Sequence, residues 1–163
     1  MLPSAFKIVP MNEMYARDVA SWHYEQPYDF YNHDPSHLNT IIFKSYLDPD
    51  FNYYAVLDEQ GKLIAFRCFG KDAQVPGGDY RADAVDMGGG LRPDLTGQGL
   101  GPRVMNAAMD FARPMFAPKA FRVTIAEFNL RAQRACEKIG YVSVQKFLSL
   151  HSQIPFVVLM RKA

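Results

Sequence analysis

The sequence predicts a single-domain α/β fold in which a mixed central sheet of about seven strands is flanked by about four helices. Its 163 residues are 48% hydrophobic, enough to build one real core, so we expect one domain over residues 1–163. Strand-like runs rich in β-branched and aromatic residues alternate with helical stripes. Tight hairpins and helical crossovers both connect the strands, which predicts a sheet with antiparallel and parallel pairs.

The first part of the chain predicts a strand, two helices and a loop. A strand covers residues 6–9, and Asn12 can cap a helix that runs to about residue 22. Residues 22–32 are dense in aromatic side chains and too irregular for a helix, so they predict a structured loop. The Asp34-Pro35 pair opens a second helix, whose buried side holds Leu38, Ile41, Ile42 and Tyr46.

The rest of the chain supplies the other six strands and two more helices. A polar turn containing Gly61 joins the first two of these strands into a hairpin. A short helix over residues 129–139 can be capped by Asn129 and stops at Gly140, a usual C-terminal position for glycine. The six strands are expected at residues 51–57, 63–69, 82–90, 121–126, about 141–150 and 155–161.

The central stretch is residues 91–103, a glycine-rich turn between a strand and a helix. The helix is indicated by apolar residues at helical spacing, namely Val104, Ala108, Phe111, Ala112 and Met115. Glycines let a ligand approach the backbone closely, and the first turn of a helix offers unpaired N–H groups at the positive end of its dipole. We therefore expect a phosphate-bearing ligand at residues 97–103.

Composition excludes several classes of function. The net charge is +1 and no basic stripe occurs, so nucleic acid is not an expected partner. No apolar run reaches the ~18 residues of a membrane span, and the N-terminus lacks the pattern of a signal peptide. Cys68 and Cys136 are far apart without metal spacing, which is typical of reduced thiols in a cytoplasmic protein. The four histidines also lack metal spacing, so we expect no metal.

Two motifs in the right order resemble those of the GNAT superfamily of acyl-CoA-dependent N-acetyltransferases. Residues 96–101, Thr-Gly-Gln-Gly-Leu-Gly, match the family's Gln/Arg-x-x-Gly-x-Gly/Ala loop, except that Thr96 replaces Gln or Arg. Asn129 and Ala132 are followed by Cys-Glu-Lys-Ile-Gly-Tyr at residues 136–141, which matches the second motif in spacing. Here Cys136 replaces the family's tyrosine and Tyr141 its phenylalanine. The resemblance covers essentially the whole chain.

The resemblance implies that acetyl-CoA is the cosubstrate, with its pyrophosphate on the N–H groups from Gly97 to Gly101. Leu91 and its neighbours would offer strand backbone groups to the pantetheine, and the Leu91 N–H would polarise the thioester carbonyl. Glycines 88–90 fit a strand edge clear of side chains, or a simple bulge. The residues expected to bind the cofactor are Leu91, Arg92, Thr96, Gly97, Gln98, Gly99, Leu100, Gly101, Arg103 and Asn129.

The reaction implied is direct attack of a primary amine on the thioester. The family often places a tyrosine as general acid where this chain has Cys136, and a thiol could donate there, or the residue could be a plain core hydrophobe. Asp86 is the candidate base on the central strand, or else a solvent-facing strand residue; Glu127, near the end of the next strand, is a second candidate.

The acceptor side is expected at the aromatic loop, through Trp22, Tyr24, Tyr28 and Tyr31, although these rings could equally pack as core. We expect a small-molecule amine rather than a protein N-terminus, and the family allows a homodimer. The rival interpretation is a non-catalytic acyl-CoA-binding or sensing module, because three motif positions depart from the family's pattern. A nucleotide-binding fold of another kind would need a glycine turn after the first strand, and none is there.

Overall fold

A computed structural model describes residues 1–163, and its seven-stranded mixed sheet confirms the predicted α/β class. The strands lie side by side in the order β1-β2-β3-β4-β5-β7-β6. Only β4 and β5 pair in parallel, and all other neighbours are antiparallel. The strands are β1 Lys7–Pro10, β2 Tyr53–Leu57, β3 Leu63–Phe69, β4 Val85–Leu91, β5 Ala120–Ala126, β6 Val142–Leu148 and β7 Pro155–Lys162.

Four α-helices accompany the sheet, as the sequence predicts. They are α1 Glu13–Ala20, α2 Leu38–Ile41, α3 Gly101–Phe116 and α4 Leu130–Lys138. The second is shorter than expected, because the chain tightens into a 3-10 turn before it and widens into a π-helical turn at Ile42–Tyr46. The predicted cap at Asn12 is present, since its side chain accepts a hydrogen bond from the Tyr15 N–H.

The two faces of the sheet bury different helices. Helix α1 and the α2 segment pack on one face, in a cluster that includes Ala16, Val19, Ile42 and Tyr46. Helices α3 and α4 pack on the other face. The buried side of α3 carries Val104, Met105, Ala108, Met109 and Ala112. Met115, which the spacing assigned to this side, is 46% exposed, whereas Phe116 beside it packs against the core.

Candidate active site

The sheet is open between β4 and β5. Their parallel pairing includes only Val85 with Phe121 and Asp86 with Arg122, although each strand has seven residues. Beyond Asp86 no strand occupies the side of β4 that faces β5. The result is a gap that begins at Asp86 and widens toward the glycine turn after Leu91.

The backbone of β4 points polar groups into this gap. The Arg92 N–H donates to the Ile64 carbonyl and the Gly70 N–H to the Asp86 carbonyl, so the even-numbered residues of β4 bond to β3. By the alternation of an antiparallel ladder, Gly89 and Leu91 turn their backbone groups away from β3, toward β5. The Leu91 carbonyl is consistent with this orientation, because it accepts a hydrogen bond of 2.7 Å from the Tyr24 hydroxyl and not from β3.

Gly89 is required at this edge for two independent reasons. Its φ of +142° is rarely adopted by residues with a side chain. A Cβ on it would lie 2.1 Å from the Phe66 carbonyl oxygen. Gly88 and Gly90 are also closely packed. A Cβ on Gly88 would lie 3.1 Å from the Cys68 sulfur, and a Cβ on Gly90 would lie 3.1 Å from the Tyr24 hydroxyl.

The glycine turn presents a run of five unpaired backbone donors. The N–H groups of Thr96 and Arg103 bond to carbonyls within the turn, but those from Gly97 to Gly101 have no hydrogen-bond partner in the chain. Gly97 and Gly99 have φ values of +75° and +80°, and a Cβ on either would have no heavy atom within 4 Å. The turn therefore offers an uncovered set of donors at the N-terminus of α3, which suits an anion. Pro102 lies in the first turn of α3, as the sequence predicts.

The side chains of the turn hold it in shape. The Arg92 guanidinium pairs with Asp94 and donates to the Leu63 carbonyl. Thr96 and Gln98 donate to the carbonyls of Pro93 and Asp94 at 2.7 and 2.6 Å. Leu100 is fully buried. Arg103 donates to the Ser4 carbonyl and lies over the Phe6 ring, so its charge is directed along the surface beside the turn.

Asn129 caps α4 and at the same time holds the aromatic loop. Its side-chain oxygen accepts from the Ala132 N–H at 3.1 Å, and its amide donates to the Tyr31 hydroxyl at 3.0 Å. The Gly101 position approaches α4 at Ala135, so the start of α3 packs against the second half of α4. This arrangement brings the two motifs of the sequence to one mouth of the gap.

Asp86 is part of a buried ion pair. Its two carboxylate oxygens accept from Arg122 at 2.6 and 2.8 Å, and Gln74 donates to it at 2.9 Å. The carboxylate raises the pKa of the Arg122 guanidinium through these hydrogen bonds. The other candidate base, Glu127, is paired with Lys146. The geometry gives both carboxylates a structural partner, and it favours a positioning role for Asp86 over proton abstraction.

Cys136 lies in the core at 1% exposure. It packs under α3, with its thiol 3.7 Å from the Met105 sulfur. Burial raises the pKa of this thiol to about 12, and a nearby Arg67 charge offsets part of the rise. The arrangement favours the small-hydrophobe interpretation over the general-acid one.

The aromatic loop divides its rings between core and surface. Trp22 is buried against Phe66, with its indole N–H on Asp18. Burial raises the pKa of the Tyr24 hydroxyl, which bonds to Leu91, to about 12. Tyr28 and Tyr31 lie farther out against Phe128, which follows β5. The loop thus crosses the gap from β4 to the start of α4, and both interpretations of its aromatic residues hold in part.

Sequence reasoning missed two features beside the gap. Tyr80 and Thr124 share a hydrogen bond of 2.9 Å on the α1 face of β5, and the loop that brings Tyr80 there has no periodic pattern. Arg67 is a buried guanidinium whose Nε has no hydrogen-bond partner. Its signal was present in the sequence, as the one charged residue in the otherwise apolar strand at residues 63–69.

The open sheet and the glycine turn are those of an acetyltransferase fold, and the comparisons with known proteins agree. The chain belongs to the acetyltransferase (GNAT) family, which it matches over residues 16–141. It is an acyltransferase. No curated protein sequence matches it significantly.

Solved structures share the fold at low sequence identity. A chimera of the spermidine N-acetyltransferase SpeG from Vibrio cholerae and hSSAT has a TM-score of 0.73 and 14% identity, covering 98% of this chain and 96% of that one. A GNAT-family acetyltransferase from Bacillus anthracis has a TM-score of 0.74 and 12% identity, covering 99% and 96%. None of the helices here is long and apolar enough to cross a bilayer. No cluster of three or more potential metal ligands occurs.

Proposed function

We propose that this acyltransferase moves acetyl from acetyl-CoA to the nitrogen of a primary amine on a small molecule, by direct attack. The observation that carries the proposal is the run of free N–H groups from Gly97 to Gly101, which opens onto the gap between β4 and β5. A pyrophosphate fits such a donor set at a helix N-terminus. The backbone groups of Gly89 and Leu91 suit the amides of a pantetheine arm lying along the strand edge.

The chemistry asked of the chain is then mainly positioning. The Leu91 N–H is directed into the gap, where it can stabilise charge on the thioester oxygen. The aromatic loop covers the outer side of the gap through Tyr24, Tyr28 and Tyr31, so we place the acceptor there. A homodimer and a cytoplasmic location stay predictions; sedimentation velocity would test the first.

The donor site is tested by Gly99→Glu, with Gly61→Glu as the matched control. Gly61, in the β2–β3 turn, has a φ of +78° and open space around it, so both variants meet similar backbone strain and the same change of charge. In calorimetry with CoA, we expect Gly99→Glu to abolish binding and Gly61→Glu to retain it. Equal CoA affinities for the two variants would show that CoA does not bind at the glycine turn.

The acceptor is tested by thiol release from acetyl-CoA across a panel of amines. The panel includes spermidine, because SpeG, named for that substrate, shares this fold. It also includes short peptides with free N-termini. We expect turnover with a small amine and little with the peptides; the opposite ranking would reassign the acceptor to a protein N-terminus.

A further inference from the structure

The side chain of Arg67 lies over Gly89, the residue opposite it on β4. The two residues are direct partners in the β3–β4 ladder. The Arg67 side chain leaves β3 on the face of Phe69, which packs with α3 and α4. A Cβ on Gly89 would lie 2.9 Å from the Arg67 Cδ, so the arginine stem occupies the space that any side chain on Gly89 would need. The absent side chain at Gly89 thus leaves room for the arginine stem over β4.

The side chain of Arg67 is buried, and its guanidinium has no counter-charge in the chain. The residue is 7% exposed, its Nε has no partner, and it forms no ion pair or side-chain hydrogen bond. The other buried arginine, Arg122, has a counter-charge, since its guanidinium donates to both carboxylate oxygens of Asp86. It also donates to the carbonyls of Ala82 and Tyr80. Burial lowers the pKa of Arg67. An unpaired buried charge is costly, so one that the fold leaves unpaired calls for a partner from outside the chain.

The position of Arg67 identifies that partner. Its charge makes both the Cys136 thiol and the Tyr24 hydroxyl more acidic than burial alone would leave them. Tyr24 bonds to the Leu91 carbonyl at the edge of the gap, and Cys136 holds the place of the family's usual general acid. The guanidinium therefore lies near the point from which that acid would approach the leaving sulfur, whereas the thiol present there is a poor donor.

We propose that Arg67 binds the sulfur of CoA and stabilises it as a thiolate, in place of a general acid. This inference rests on acetyl-CoA being the donor. The amine nitrogen bonds to the carbonyl carbon, the C–S bond breaks with its electron pair moving to sulfur, and the amine proton leaves to water. Arg67 keeps its own proton and supplies charge and N–H donors to the sulfur.

The test is the thiol pKa of bound CoA, followed by the ultraviolet absorbance of the thiolate. In the wild-type complex we expect this pKa to lie about one unit or more below that of free CoA, a tenfold stabilisation of the thiolate. Arg67→Met should bring it to the free value or above, and Arg67→Lys should keep part of the shift. Arg17→Met, which removes an exposed cation from α1, is the control and should keep all of it.

Other outcomes would overturn the proposal. Because methionine replaces an unpaired buried charge, Arg67→Met should unfold at an equal or higher temperature; a large drop would mean that Arg67 is structural. A thiol pKa that is unshifted, or shifted equally in Arg67→Met, would exclude the thiolate role. Selective loss of succinyl-CoA affinity would assign Arg67 to a carboxylate on the acyl group instead. If CoA fails to bind wild-type protein, the proposed function fails with it, whereas bound CoA with an unshifted pKa overturns this inference alone.

Discussion

At the scale of single residues, Asp86 shows how an ion-pair partner changes the role expected of a carboxylate on a strand. Alternation with Gly88 and Gly90 predicts the face of β4 on which it lies, but not its neighbour. Arg122 is 36 positions away, and the two meet only because β4 and β5 pair at this one point. The ion pair therefore fixes the narrow end of the gap.

We predict that Asp86→Asn lowers the free energy of unfolding by about 3 kcal/mol, because it leaves the buried Arg122 charge uncompensated. Denaturant unfolding would measure the loss. The control is Asp83→Asn, which removes an exposed pair with Lys119 and should change little. The pH–rate profile of Asp86→Asn should keep its shape. Loss of its acidic limb with near-normal stability would instead make Asp86 the base.

At the scale of elements, Asn129 joins helix α4 to the aromatic loop. Its oxygen serves the helix and its amide serves Tyr31, so the two functions can be separated by chemistry. Serine is also a good N-cap, but it cannot reproduce the amide donor while its oxygen caps the helix.

We therefore predict that Asn129→Ala loses about 1 kcal/mol of stability, whereas Asn129→Ser loses little. Both should weaken CoA binding, since both remove the asparagine that we expect to contact the cofactor. Thermal unfolding and calorimetry on the same samples would measure the two effects. Full CoA affinity in Asn129→Ser would show that the amide serves only the loop.

At the scale of the whole molecule, the sequence predicts what depends on local pattern. Strand order along the chain, the caps at Asn12 and Asn129 and the glycine turn follow from periodicity and turn chemistry. The pairing of Asp86 with Arg122 and the passage of Arg67 over Gly89 depend on register between strands, which no local pattern contains. The residues that we propose to surround the reacting atoms are brought together by such contacts, so their arrangement could not be predicted.

The two buried thiols predict how the stability of the domain varies with pH. Burial raises the pKa of Cys68 and of Cys136 from 9.0 to about 12. Above pH 9 the unfolded chain loses these protons while the folded chain keeps them, so stability falls as pH rises toward 12. Each thiol contributes a slope of about 1.4 kcal/mol per pH unit.

Urea unfolding at several values between about pH 8 and about pH 11 would measure this slope. The double variant Cys68→Ala with Cys136→Ala should be less stable at neutral pH but have a shallower alkaline slope. Burial also raises the pKa of five tyrosines, which add a contribution that the double variant retains: Tyr24, Tyr31, Tyr46, Tyr53 and Tyr141. An unchanged slope would show that the thiols do not titrate as buried groups.

The short parallel contact between β4 and β5 divides the sheet into two halves, β1–β4 and β5–β7, which are joined only at one end of these two strands. The amides of Gly89 and Leu91 point away from β3 and have no strand partner on their other side, so they should exchange with deuterium faster than their neighbours on β4. Acetyl-CoA lying along this edge would cover these amides and accept hydrogen bonds from them. Substrate binding would then extend the hydrogen bonding of β4, and product release would break the hydrogen bonds between β4 and the ligand.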